Sequence, residues 1–216
     1  MFYKSSSTKA SRFFPLLLIT VMALIFSSFT AYALPSKKQK GSEIQPDNYY
    51  PRVLFETTMG NITIELNRRK APITVNNFLR YVNYEEYDNT LFQRIIPNYI
   101  VQGGGYSPDF KVKTTFSSIF NESGNGLKNR MYSIAMARKD DPHSAIRQFF
   151  FNVSDNTNLD PGRGWGYTVF GEIIDGTDVV DKMSEVETEY NVQSGFRDVP
   201  VNPIILNKAT ILPEIK

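Results

Sequence analysis

The 216-residue chain contains no cysteine and a single histidine, His143. The first absence excludes a disulfide framework, a thiolate zinc site, a cysteine nucleophile and a lipid-modified N-terminal cysteine. The second confines any histidine-dependent triad to His143 and rules out a zinc site built from several imidazoles. His143 lies in the charged, turn-like stretch Arg138-Lys139-Asp140-Asp141-Pro142-His143-Ser144 and reads as an exposed loop residue. Asp140-Asp141 lack calcium-loop spacing. Gly103-Gly104-Gly105 is followed by neither phosphate-loop nor dinucleotide spacing, so it reads as a close backbone approach or a sharp bend after a strand. An enzyme with this inventory is expected to need no covalent intermediate, no metal and no cofactor.

Basic residues are in excess only near the start. Lys4, Lys9 and Arg12 precede an apolar run over residues 13–29, and Ala31-Tyr32-Ala33 supplies the small residues that signal peptidase prefers. Residues 1–33 are therefore expected to be a cleaved signal peptide. The run is a little short for an uncleaved anchor, which wants roughly 20 apolar residues, so no stable membrane insertion is expected after cleavage. Without those three cations the 24 basic residues fall to 21 against 22 acidic ones, a net charge of −1 in place of +2. Nothing so balanced argues for a nucleic-acid partner. Residues 34–50 are polar and aperiodic and read as a flexible linker, leaving 51–216 as one folded domain. Export without cysteine suits a periplasm, where the domain must hold together by packing alone.

The composition can support such a core: 41% of residues are hydrophobic and 21% charged, with 12 Tyr and 16 Phe that favour β structure. Residues 53–58 and 62–66 flank Met59-Gly60-Asn61, a hairpin signal. Ile62, Ile64 and Leu66 alternate with Thr63 and Glu65, predicting one buried and one wet face. Pro72 suits a first helical turn, and Val75, Phe78, Leu79 and Val82 form one apolar stripe. A second helix is predicted near Asp175-Gly176-Thr177, with Val179, Val180, Met183 and Val186 inward. Further strand-like runs cover 91–96, 99–102, 131–137, 148–153, 167–173 and 203–212. About eight strands not interleaved with two helices argue against a parallel sheet. They suit a mainly β fold: an eight-stranded closed antiparallel barrel capped by two α-helices.

Three ordered blocks then narrow the reading. Phe92-Gln93-Arg94-Ile95-Ile96-Pro97-Asn98-Tyr99-Ile100-Val101-Gln102-Gly103-Gly104 resembles the cyclophilin signature, in which Phe-His-Arg-Ile/Val-Ile-Pro-Gly-Phe leads into Gln-Gly-Gly. Ile134-Ala135-Met136-Ala137-Arg138 with Gln148-Phe149-Phe150-Phe151 is similar to that family's Met-Ala and Ser-Gln-Phe-Phe segments. Asn158-Leu159-Asp160 with Tyr167-Thr168-Val169-Phe170-Gly171 is similar to its Leu-Asp and Val-Phe-Gly segments. The tail looks closest to bacterial exported members.

The resemblance implies an eight-stranded barrel with two capping helices and an activity, cis-trans isomerisation of bonds preceding proline. It implies Arg94 as the catalytic donor to the prolyl nitrogen and Gln102 as a ligand of the substrate backbone. Tyr99, Ile100, Phe150 and Leu159 would hold the proline ring, with Tyr167 at the edge and Ala137 and Gln148 along the groove. Partners would be proline-containing peptides and exported proteins that are still folding, met by a monomer. Four departures stand out. Gln93 replaces a His and is expected to point away from Arg94. Asn98-Tyr99 replaces Gly-Phe and makes the pocket more polar. Arg147 replaces a small residue and is expected to add bulk and charge near the groove. Asn158 replaces a Trp, so weak cyclosporin binding is expected. Two other readings carry less: a peptide-binding chaperone or assembly factor with little turnover on the same fold, kept open by the altered pocket (Tyr99, Arg147), and an unrelated β-sandwich carbohydrate binder that explains none of the ordered blocks. Trp165 reads as a loop aromatic covering apolar surface.

Overall fold

Apolar-polar alternation sets the first two strands, β1 (Arg52–Thr57) and β2 (Gly60–Leu66), which pair antiparallel around Thr58-Met59. The inward set, Val53, Phe55, Ile62, Ile64 and Leu66, is wholly buried. In this computed structural model, which describes residues 41–214, the chain continues through α1 (Pro72–Asn83), β3 (Thr90–Leu91), β4 (Arg94–Ile96) and β5 (Ile100–Gly103). It then forms β6 (Ser133–Met136), β7 (Phe149–Asn152), β8 (Val169–Asp175) and α2 (Thr177–Ser184). A hairpin, β9 (Thr188–Asn191) and β10 (Phe196–Pro200), precedes the last strand, β11 (Ile205–Ile211).

Nine strands make one antiparallel sheet in the order β3-β11-β1-β2-β8-β6-β7-β5-β4. Its two end strands are neighbours in the chain, separated only by Phe92 and Gln93. Leu91 bridges the two edges. It pairs with Ile205 of β11, and its carbonyl accepts the Gly104 N–H, just past β5, at 3.1 Å. The sheet therefore curls until its edges meet in one bent segment, and with β3–β4 taken as a single strand the barrel has eight. The β9–β10 hairpin pairs only with itself and was absent from the sequence-based strand count.

Helix α1 begins at Pro72, and Val75, Phe78, Leu79 and Val82 are buried as the stripe predicts. Its first turn is capped from a distance: the Glu122 carboxylate accepts from the Ile73 and Thr74 N–H groups at 3.1 and 2.8 Å. In α2 Val179, Val180 and Met183 are buried, while Val186 packs on the core beyond the helix end. The barrel interior is aromatic: the Phe55 and Phe149 rings lie 5.4 Å apart, Phe78 and Phe170 5.1 Å, and Tyr87 and Phe149 5.5 Å. Such contacts add to the burial of the rings themselves.

One expectation is corrected. Residues 41–50, read as part of a flexible linker, are packed onto the domain. The Arg68 guanidinium, only 7% exposed, donates to the carbonyls of Ile44 (2.7 Å), Asn48 (2.8 Å) and Gln45. Gln45 Nε2 donates to the Leu212 carbonyl at 2.8 Å. A guanidinium taken out of water needs acceptors, and these turns supply them as backbone oxygens that composition does not reveal. The expected signal peptide, residues 1–33, and residues 34–40 lie outside the described residues.

Candidate active site

Each barrel strand has two faces, and the outer faces of the strands around β5 build a second apolar cluster. On β5 Val101 joins the interior core, whereas Ile100 turns outward; on β7 Phe149 and Phe151 point in and Phe150 out. Ala135 of β6 and Val169 of β8 complete this outer cluster, with Tyr99, Ala137, Leu159 and Tyr167 packed against it. Period-two geometry thus separates residues that hold the barrel from residues that line its surface.

The result is a pocket of about 210 Å³ whose floor and walls are Ile100, Phe150, Leu159 and Tyr167, with Tyr99 and Ala137 beside them. That is below the roughly 300–1,000 Å³ of a drug-sized site and suits a single side chain. Arg94, Gln102 and Arg138 are its polar members. Every residue singled out from the sequence lines this pocket except Gln148; Arg138 is the addition. A larger cleft of about 420 Å³ between Tyr50, Asn67, Lys128 and Glu172 contains none of them.

Arg94 and Gln102 face each other as a register pair between β4 and β5. Arg94 Nε donates to Asp198 Oδ2 at 3.4 Å, and both side chains are less than half exposed to solvent, at 43% and 40%. Gln102 is fixed from behind: its Nε2 donates to Gln148 Oε1 at 3.0 Å, and the same oxygen accepts from Gln93 Nε2 at 2.8 Å. Gln93 is buried while Arg94 is half-exposed. Gln148 fills the space above Gly105, where an added Cβ would come within 2.6 Å of its side chain. At Gly104 the backbone is left-handed, φ +83°, and a Cβ would meet the Phe149 ring at 2.7 Å. The triple glycine is therefore a close approach, as its sequence suggested.

At the pocket rim Asn98 adopts φ 57°, the left-handed conformation that a glycine would supply and that asparagine tolerates. Tyr99 follows, and its hydroxyl accepts from Asn158 Nδ2 at 3.0 Å. These two departures from the family pattern therefore bond to each other. Tyr167 sets its ring edge-on to Phe150 at 5.7 Å, and the Arg138 guanidinium lies 4.6 Å over the Tyr167 ring. Arg138 is itself held by the Trp165 carbonyl at 2.9 Å. Trp165 is 47% exposed, its ring centre 4.9 Å from that of His143 in an edge-on arrangement.

Two further expectations are corrected. Arg147 does not border the groove. It is 2% exposed and points inward, where it donates to Gly104 O at 2.7 Å, to Thr114 O at 2.5 Å and to Glu86 O. Burial lowers its pKa from the ordinary value, the Tyr87 and Tyr81 rings and Glu86 opposing that shift. His143 is half-buried, stacked on Phe120 at 4.5 Å, and its Nδ1 accepts the Asn121 N–H at 3.2 Å. Among the described residues no group of three or more His, Asp or Glu side chains could hold a metal ion.

The family model described as cyclophilin type peptidyl-prolyl cis-trans isomerase/CLD matches residues 52–211. The chain belongs to the cyclophilins. This cyclophilin is 48% identical over 164 residues to a peptidyl-prolyl cis-trans isomerase of Streptomyces antibioticus, covering 74% of this chain and 98% of that one. It is 47% identical over 161 residues to peptidyl-prolyl cis-trans isomerase A of Dickeya dadantii, covering 74% and 84%. A crystal structure of a cyclophilin type isomerase from Cryptosporidium parvum superimposes with a TM-score of 0.64 at 25% identity, covering 77% of this chain and 100% of that one. This cyclophilin is a peptidyl-prolyl cis-trans isomerase, and its substrates are proline-containing peptides.

Proposed function

We propose that this cyclophilin accelerates Xaa-Pro rotation in exported proteins as they fold, with Arg94 as the catalytic residue. Rotation about the peptide bond faces roughly 18–20 kcal/mol because nitrogen lends its lone pair to the carbonyl. A planar imide nitrogen is a poor hydrogen-bond acceptor and a twisted, pyramidal one a good acceptor. A guanidinium beside that nitrogen therefore binds the half-turned state more tightly than either ground state, which lowers the barrier. No bond is made or broken, so the lack of cysteine and the lone, loop-bound His143 are no handicap.

The observation that carries this reading is the meeting of Arg94, a permanent cation, with an apolar pocket of single-ring size on the same outer face. Ile100, Phe150 and Leu159 would take the proline ring, with Tyr99, Ala137 and Tyr167 around it. Gln102 would bond the substrate backbone, held by Gln148 along the groove. The chaperone or assembly-factor alternative rests on an altered pocket, Tyr99 and Arg147, and the inward course of Arg147 removes the second of these. Asn158 and Tyr99, tied to each other, offer no indole to cyclosporin, in keeping with weak binding.

The test is the cis-to-trans exchange rate of a short Xaa-Pro peptide. Arg94→Ala should lose about 10²–10³-fold in kcat/KM, the scale of one removed transition-state donor, with an unchanged melting curve. Equal rates in wild type and variant would end the assignment. Export rests on Lys4, Lys9, Arg12 and the apolar run before Ala31-Tyr32-Ala33. Mass analysis of the protein recovered from its cells should give a chain beginning at Leu34, and a chain retaining residues 1–33 would count against export by cleavage.

A further inference from the structure

We propose that Asp198 is a positioning residue for Arg94, and that the β9–β10 hairpin serves to deliver it. The inference rests on Arg94 acting as argued above.

The first observation is the contact itself: Asp198 Oδ2 lies 3.4 Å from Arg94 Nε. A carboxylate on Nε engages the part of the guanidinium nearest its stem and leaves Nη1 and Nη2 available as donors to substrate. A long, free side chain on a surface strand samples many rotamers, and one fixed partner at Nε narrows them.

The second is the backbone of Asp198, which has φ 60°, left-handed for a residue that is not glycine. It falls where the β9–β10 register shifts between Phe196 and Val199, and such an irregularity re-aims the side chain it carries. Aspartate tolerates this conformation as Asn98 does, so the irregularity can turn the carboxylate toward Arg94.

The third is that the hairpin is firmly seated on the Arg94 side. Phe196 sets its ring against Tyr106 at 5.0 Å and Phe110 at 6.1 Å, and Val199 and Pro200 are buried. Glu189 and Tyr190 of β9 are exposed. An ion pair as exposed as Arg94–Asp198 contributes little to stability, so its effect falls on the aim of Arg94.

The experiment measures kcat and KM on an Xaa-Pro peptide for Asp198→Ala and Asp198→Asn, each also on the Arg94→Ala background. Asp198→Ala should lower kcat roughly tenfold with little change in KM and leave the protein folded at the assay temperature. Asp198→Asn keeps an acceptor oxygen for Nε and should recover most of the loss. On the Arg94→Ala background neither substitution should slow the reaction further. Full activity in Asp198→Ala beside a slow Arg94→Ala overturns this proposal and spares the catalytic assignment. Equal losses from Asp198→Ala on both backgrounds also overturn it, because the effect then bypasses Arg94. Full activity in Arg94→Ala overturns both readings.

Discussion

Replacing Arg147 by methionine tests whether the residue belongs to the fold or to the groove. The side chain is 2% exposed and serves three backbone carbonyls: Gly104, Thr114 and Glu86. Its guanidinium carbon also lies 5.1 Å from the Tyr81 ring centre and 5.5 Å from that of Tyr87, and Nη1 is 3.7 Å from a Glu86 carboxylate oxygen. Methionine fills much of the same volume but donates nothing, and backbone oxygens cannot be mutated away to match it. A buried acceptor left without a donor costs about 1–3 kcal/mol, and part of that returns where water can reach the oxygen. Methionine also removes the cost of keeping a charge in a dry site, which offsets some of the loss. The balance predicts about 3–4 kcal/mol of destabilisation, or roughly 6–16 °C in Tm for a domain of this size.

Urea unfolding followed by far-UV circular dichroism reads the first quantity, and the peptide exchange assay, run well below the new Tm, reads the second. The expected outcome for Arg147→Met is a lower midpoint with kcat/KM within about threefold of wild type. A variant that kept its stability and lost activity, or gained activity through an opened groove, would refute the inward placement of Arg147.

Two further predictions concern the same part of the core. Gly104→Ala combines a left-handed backbone, φ +83°, with a Cβ placed 2.7 Å from Phe149 and 2.9 Å from Tyr87, and should cost about 2–4 kcal/mol; a stability within about 0.5 kcal/mol of wild type would contradict the close approach. Burial pushes the Tyr87 phenol well above its ordinary value of 10.0. The folded state thus holds this proton more tightly than the unfolded chain does, so the contribution is intact below pH 10 and lost as pH rises beyond it. Stability should fall above pH 10 by up to about 1.4 kcal/mol per pH unit from this residue. Tyr87→Phe, though less stable at neutral pH for want of its 2.6 Å bond to the Arg147 carbonyl, should show a shallower alkaline slope; identical slopes would refute the assignment.

How much of this was legible beforehand depended on whether the signal lay in side-chain pattern. The stripe Val75-Phe78-Leu79-Val82 and the alternation in β2 led directly to α1 and the first hairpin. The pocket came from motif matching, since nothing in the periodicity of Phe149-Phe150-Phe151 says which ring faces outward. Once Phe150 is placed outside, however, parity puts Gln148 outside with it and Arg147 inside with Phe149, so the direction of Arg147 was present in the sequence and overlooked. The β9–β10 hairpin was hidden for a different reason. Thr188-Glu189-Tyr190-Asn191 and Phe196-Arg197-Asp198 are mostly polar and none of them is buried, and only Ser194-Gly195 hints at a turn. The docking of residues 41–50 was hidden most deeply, because Arg68 reads them through backbone carbonyls that every sequence possesses.

The position of Arg94 explains why a hairpin so weakly marked matters. β4 is one end of the sheet order and has a ladder partner, β5, on one side only. On its other side the chain runs through Phe92 and Gln93 into β3, so the barrel seam passes beside the proposed catalytic residue. A three-residue strand at a seam has fewer backbone constraints than a strand in mid-sheet, yet the chemistry asks its arginine to meet a nitrogen that accepts a hydrogen bond only in a fleeting, half-turned geometry. Precision must therefore be added from outside the ladder. Gln93 anchors the segment through Gln148, and Asp198 holds Arg94 from a hairpin that the barrel itself does not require. If the seam were rigid without them, Asp198→Ala would turn over peptide at the wild-type rate.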